Sequence, residues 1–212
     1  MSNYIEHLNW RYATKQFDAS KEVSAEDLQI LKDAVQLSAS SYGLQPYKII
    51  VVEDEAVKEQ LKEAGYNQSQ FTDSSAIFVF AHQTDFGAEL VDSYIKHAER
   101  IKELESGALE NYANLMKNSL INLPQEAKAG WSARQAYLAL GNLLSAAAAH
   151  RIDACPMEGF KPEEYDKILG LDKQNLKSVL VMPIGYRAKD DMFASFKKVR
   201  RPMEETIIEI KK

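Results

Sequence analysis

The sequence predicts one domain in which helices cover a sheet, and three observations carry that prediction. Residues 47–52, 76–81 and 178–186 are apolar runs, and 76–81 is continuously apolar, the pattern of a strand covered on both faces. Around them lie segments whose apolar residues recur at three- and four-residue spacing, as on amphipathic helices. From residue 136 to 149, Tyr137, Leu138, Leu140, Leu143 and Leu144 stand among alanines, with Asn142 and Ser145 as the breaks. A helix apolar on so much of its circumference is expected to have neighbours on most sides.

In chain order, Ser2 can cap a first helix to about Trp10. Arg11-Tyr12-Ala13-Thr14-Lys15-Gln16-Phe17 then leaves the helical pattern, and residues 18–21 read as loop. Arg11 and Lys15, taken alone, read first as two solvated cations. Ser24 and Asp27 make a capping box, with Leu28, Leu31, Ala34, Val35 and Leu37 as the apolar face behind it. The loop Ser38-Ala39-Ser40-Ser41-Tyr42-Gly43-Leu44-Gln45-Pro46 leads into the 47–52 strand, read as central. Its serines are turn formers first and ligand contacts second.

Asp54 caps a short helix that Gly65 ends, and residues 66–73 read as loop. After the second strand, Phe86, Leu90, Val91, Tyr94, Ile95, Ala98, Ile101 and Leu104 mark one helix, and Leu109, Tyr112, Leu115, Met116 and Leu120 another. Pro124 opens the segment that holds the apolar helix. His150 and Arg151 suit the negative end of its dipole. Asp153-Ala154-Cys155-Pro156-Met157-Glu158-Gly159-Phe160 follows as a tight turn able to aim backbone N–H groups at a ligand, since Gly159 permits unusual φ and Pro156 lacks its own N–H. A short helix starts at Pro162 and ends at Gly170. The third strand, the basic cluster Lys197-Lys198-Val199-Arg200-Arg201 and the β-branched run Thr206-Ile207-Ile208-Glu209-Ile210 complete the chain. That last run reads as a strand, which must pair with something.

With 212 residues, 45% of them hydrophobic, the chain can bury a sizeable core. The net charge of -5 argues against nonspecific nucleic-acid binding. The single cysteine, Cys155, excludes an internal disulfide and has no evident base beside it, so an inert apolar thiol is expected. Residues 1–6 carry no secretory leader pattern, and the run from residue 136 is too short to span a bilayer; a cytoplasmic protein free of membrane is expected. The four histidines show no metal-binding spacing, and no metal is expected. There is no Gly-x-Ser-x-Gly elbow, no Walker loop and no Gly-x-Gly-x-x-Gly after a strand.

What remains is a distributed set: cations at Arg11 and Lys15, hydroxyls at Ser40 and Ser41, a polar loop at residues 67–70, the Pro156 turn, and cations at Lys198 and Arg200. Together they would suit a ligand with a phosphate and a flat polar ring. Arg11 through Phe17, Ser38-Ala39-Ser40-Ser41 with Gln45-Pro46, Cys155 through Phe160, and Lys198-Val199-Arg200 stand in the order and spacing of the flavin-dependent nitroreductase family. The chain resembles its oxygen-insensitive nitroreductase and dihydropteridine reductase branch over essentially the whole length.

The resemblance implies an α+β fold, a mostly antiparallel sheet flanked by helices, with C-terminal strand exchange in a homodimer. It implies an FMN site in the dimer cleft. Arg11, Lys198 and Arg200 match the phosphate-binding cations, and Lys15 and Asn67 the groups at the ribityl chain and pyrimidine edge. Tyr12, Ala13, Pro156 and Met157 match neighbouring contacts, while Ser40, Ser41 and Gly43 match a loop supplied by the other subunit. The backbone of Glu158 and Gly159 would face flavin N5 and O4, which makes Lys15 and Glu158 the candidate catalytic residues. Tyr12-Ala13, Tyr42-Gly43-Leu44 and Gln70 depart from the frequent family pattern. The activity implied is ping-pong reduction of nitroaromatic, quinone or pterin-like acceptors by NADH or NADPH. The competing reading is a flavin-binding or storage protein without catalysis.

Overall fold

In the computed structural model, which describes residues 3–211, the sheet has four antiparallel strands in the order β1-β2-β4-β3. The strand β2 (Ala76–Gln83) pairs with β1 (Tyr47–Val52) on one side and β4 (Leu176–Gly185) on the other, and β3 (Asp153–Ala154) adds to β4. All of β2 except Gln83 is buried, because alternate residues feed two cores. Phe78 and Phe80 face one side with Leu180 and Met182. Ile77 and Val79 face the other with Val181.

The strand β1 is therefore an edge strand, not the central one its composition suggests. Lys48 is exposed and only Val52 is fully buried. An apolar run is the same locally whether it has one neighbour or two; the topology decides how many it gets.

The described helices are α1 (Asn3–Trp10), α2 (Ala25–Gln36), α3 (Glu55–Ala64), α4 (Gln70–Asp73), α5 (Ala88–Ile101), α6 (Glu110–Leu120), α7 (Gln125–Ala149), α8 (Pro162–Ile168) and α9 (Met203–Thr206). Local chemistry sets several of their ends. Ser24 Oγ accepts from the Asp27 N–H at 3.1 Å, and Asp54 Oδ1 accepts from the Val57 N–H at 2.9 Å. Gly65 closes α3 with its N–H on the Lys62 carbonyl. The proposed Ser2 cap lies outside the described residues. The stretch at 66–73 is not all loop, since α4 forms within it.

Helices α2 and α7 cover one face of the sheet through Leu31, Val35, Ala139 and Leu143. On the other, α3 and α8 pack Leu61 and Tyr165 against it. A third cluster, with Val91, Ile95, Met116 and Leu120, joins α5 to α6 and also holds Leu44 and Phe86. The helix α7 buries one stripe, Ser132, Ala136, Ala139, Leu143 and Ala147, while Tyr137 and Leu138 stay 39% and 55% exposed. Its apolar circumference is thus wider than one chain covers. No described helix is long and apolar enough to cross a membrane.

The C-terminal run is not a strand within this chain. Residues 203–206 form α9, and Ile208 and Ile210 are 89% and 95% exposed. A β-branched segment has extended propensity, but among the described residues no strand lies beside it to complete a ladder.

Candidate functional site

After Trp10 ends α1, the chain runs extended between two neighbours. The Thr14 N–H donates to the Ala154 carbonyl at 3.3 Å, docking the segment beside β3. On the other side the Asp18 N–H donates to Tyr186 O at 2.8 Å and the Ala188 N–H to Gln16 O at 2.9 Å. Buried Phe17 and Thr14 anchor this run, leaving Lys15 exposed between them.

Two carboxylates lock it. Asp153 is 4% exposed and accepts from the Arg187 N–H at 2.9 Å and from Arg187 Nε at 2.8 Å. The Arg187 guanidinium in turn lies 4.3 Å from the centre of the Trp10 ring and 4.6 Å from that of Tyr12. Asp191 Oδ2 accepts from the Tyr12 hydroxyl at 2.8 Å and from the N–H groups of Lys15 and Gln16 at 2.9 and 3.2 Å. Its Oδ1 accepts from the Phe193 N–H at 3.1 Å, capping a short turn over Met192–Ser195. Burial alone would raise the Asp191 pKa, but these donors outweigh it and hold the carboxyl below its ordinary value.

A cleft of about 500 Å³ opens at this junction. Of the residues the sequence nominates, Arg11, Tyr12, Ala13, Lys15, Pro156, Lys198 and Arg200 line it. Trp10, Phe193, Phe196 and Lys197 line it too, and sequence reasoning missed their part. The adjacency of Phe193 and Phe196 to the basic cluster was the available signal.

The electrostatics of this cleft are unbalanced. Among the described residues Arg11, Lys15, Lys198 and Arg200 make no ion pair. Burial, then the neighbouring Arg200 charge, lowers the Arg11 pKa; burial, then Arg11 and Arg200, lowers that of Lys198. Arg11 Nε is buried with no hydrogen-bond partner, while Lys198 Nζ donates to the Arg11 carbonyl. Like charges held together without a counter-ion are a site that an anion stabilises.

The Pro156 stretch is less a free turn than a continuation of the sheet edge. Met157 is buried and exchanges hydrogen bonds with Val181 at 2.8 and 2.9 Å, so its N–H is used. Among the described residues the N–H groups of Glu158 and Gly159 donate to nothing, and both residues are exposed. The Glu158 side chain accepts from the Tyr137 hydroxyl on α7, and Gln68 Nε2 donates to the Gly159 carbonyl at 2.9 Å. Burial and then Glu158 push the Tyr137 pKa up to about 12. The two free donors are therefore clamped from both sides.

Ser40, Ser41, Gly43, Asn67, Met157, Glu158 and Gly159 are not among the cleft's lining residues. Ser40 Oγ accepts from the Gln45 N–H at 3.0 Å, and the Ser41 N–H donates to Gln135 Oε1 at 2.8 Å. Gly43 has φ 75°, a conformation that favours glycine, and a Cβ there would meet the tip of the Tyr94 side chain at 2.9 Å. Asn67, at φ 56°, belongs to the loop that Gln68 ties to Gly159. Cys155 is 1% exposed and burial raises its pKa, which leaves an inert thiol beneath the cleft.

Residues 8–186 match the Nitroreductase family. The "Putative NAD(P)H nitroreductase SH0546" of Staphylococcus haemolyticus is 32% identical over 213 residues, spanning 96% of this chain and 95% of that protein. Among solved structures, the "putative nitroreductase ydfN" of Bacillus subtilis superposes with a TM-score of 0.88 at 24% identity, covering 99% of this chain and 100% of that one. A "putative nitroreductase in complex with FMN" from Exiguobacterium sibiricum gives 0.82 at 23% identity over 99% and 98%. At these identities the structural likeness speaks for the fold.

Proposed function

The chain belongs to the nitroreductase family, and from that premise we propose that it is an FMN-dependent NAD(P)H oxidoreductase acting as a homodimer. Its acceptors are nitroaromatic, quinone or pterin-like molecules, reduced in a ping-pong cycle. The observation that carries the reading is the set of mutually unfavourable cations Arg11, Lys198 and Arg200, which pair with no anion among the described residues. The free N–H groups of Glu158 and Gly159 follow in the chain from Pro156, which lines the same cleft. The orphaned, buried Arg11 Nε fits a phosphate oxygen.

In this reading Arg11, Lys198 and Arg200 hold the phosphate of FMN, with Tyr12, Ala13, Pro156 and Met157 as the neighbouring wall. Lys15 and Asn67 serve the ribityl chain and pyrimidine edge. When bound, FMN supplies a ring that takes up two electrons and gives them on. The protein's own part is electrostatic and geometric. The Glu158 and Gly159 N–H groups offer fixed donors, and the unpaired Lys15 ammonium stabilises negative charge where it develops. Glu158 thus acts through its main chain, its carboxylate being engaged by Tyr137. A cleft that recognises flat rings by stacking discriminates weakly among them, which suits several acceptors sharing it.

A second copy of the chain is supported by three features that one chain leaves open: the Ser40, Ser41 and Gly43 loop away from the cleft, the uncovered Tyr137 and Leu138, and the unpaired tail at 206–210.

The visible spectrum of the purified protein, taken before and after anaerobic NADH and NADPH, tests the proposal. Flavin bands that bleach are expected. Bands that persist with both donors would favour flavin storage without catalysis, and a colourless protein that cannot be reconstituted with FMN would overturn the assignment.

A further inference from the structure

We infer that Asp191 is the positioning residue of the cationic cleft, holding the segment that carries Arg11 and Lys15 in register with the segment that carries Lys198 and Arg200. Its significance for the cofactor rests on the phosphate reading above. The two segments are remote in sequence, and each contributes cations that repel those of the other. Their charges push them apart, so the exposed bond from Lys198 Nζ to the Arg11 carbonyl needs a further tie that is not itself a cation.

Asp191 has the geometry for it. Only 4% exposed, it receives four donors, three of them from the first segment and one from the turn that leads to Lys198. Backbone N–H groups at Lys15 and Gln16 are fixed points, so the carboxylate sets where the main chain runs and not merely where a side chain rests. The Phe193 bond then starts the turn at Met192–Ser195, after which the chain enters the cleft wall at Phe196 and Lys198. Among the described residues Asp191 has no cation of its own in contact; its charge is met there by N–H and O–H groups.

The sign of one substitution separates positioning from simple charge. Asp191→Asn removes a negative charge near the cleft, and on charge alone the cleft would bind a phosphate more tightly. As a positioning loss, the same change sets an amide NH₂ against N–H donors and loosens the register. Titration of FMN and of riboflavin, which lacks the phosphate, reads the difference. FMN is expected to lose about tenfold relative to riboflavin in the variant. Tyr12→Phe, which deletes one donor and keeps the rest, is expected to lose about twofold in the same direction. Amide exchange of the full-length protein without added flavin should speed up at Lys15 and Gln16 and not in β2.

An Asp191→Asn protein that discriminates as well as the wild type, or better, overturns the inference, as do unchanged Lys15 and Gln16 amides. Should Asp191→Asn fail to fold, Tyr12→Phe with an unchanged FMN to riboflavin ratio overturns it instead. A wild type that holds FMN no better than riboflavin sinks the phosphate reading separately, and the exchange measurement, made without flavin, still decides whether Asp191 sets the register.

Discussion

The protein places its lysines and arginines in two opposite ways. Lys58 and Lys128 are nearly fully buried, at 2% and 8% exposure, and each has been given its own anion and its own carbonyl. Lys58 Nζ reaches Glu55 Oε1 at 2.7 Å and Ser74 O at 2.8 Å; Lys128 Nζ reaches Asp85 Oδ1 at 3.0 Å and Phe86 O at 2.8 Å. Arg11, Lys198 and Arg200 are more open to solvent yet pair with no anion among the described residues, and burial together with their like-charged neighbours lowers the pKa of Arg11 and of Lys198. A cation that serves the fold arrives with its partner. One that lacks a partner among like charges is, in the proposal above, kept for a ligand, and burial by itself does not tell the two apart.

That contrast breaks most visibly if the open cations are removed. The double variant Lys198→Ala, Arg200→Ala is expected to bind FMN about a hundredfold more weakly, two charge-assisted contacts being lost, with the urea midpoint unchanged. A fall in the urea midpoint as large as the loss of binding would place these residues with the structural cations. Lys58→Met should do the reverse. It leaves the Ser74 carbonyl unsatisfied and costs about 2 kcal/mol in urea unfolding, with the FMN to riboflavin ratio untouched. Little of that loss comes from Glu55, whose side chain is 76% exposed and screened by water.

Lys15 sharpens the comparison within the cleft. Lys15→Ala is expected to slow reduction by NAD(P)H about tenfold in stopped-flow while FMN affinity changes little, because its charge is needed where negative charge develops and not at the phosphate. An unchanged reduction rate would remove it from the catalytic pair.

The smallest effect concerns Asp191, the carboxylate satisfied without a cation. Its folded pKa lies below the ordinary 3.8, so its contribution to stability is present above that value and is lost as pH falls through the lowered pKa. The stability gap between wild type and Asp191→Asn should therefore be constant at neutral pH and close only in strong acid. A gap that closes near pH 6 would point to a different group.

Much of the fold was legible because its signals are local. Ser24 with Asp27, Asp54 and Gly65 are capping residues whose partners lie three or four positions away, and the helices they bound are where those residues put them. The place of β1 was not legible, since Tyr47 to Val52 reads as apolar as Ala76 to Gln83 while only the second has two neighbours. The tail at 206–210 misled for a related reason: branching at Cβ favours an extended chain, but a strand needs an edge, and sequence does not say which chain supplies it.

Within the site, the cations and the Pro156 stretch could be named from motif spacing. Asp191 could not, because its partners are three main-chain N–H groups and one hydroxyl, and a backbone donor has no letter in the sequence. Likewise Gln68 and Tyr137, which clamp the free N–H groups of the turn, announce nothing until the loop and α7 are folded against it.

The burial of Cys155 has a practical side. As the chain's one thiol, sealed at 1% exposure with its pKa raised, it is a poor target for maleimides and other alkylating reagents. A cysteine introduced on the surface, for instance at the exposed Ile208 or Leu138, would be the sole reactive handle in the folded molecule without any cysteine having to be removed first. A spin label or fluorophore there would test directly whether two copies meet as proposed, and where the tail goes if they do.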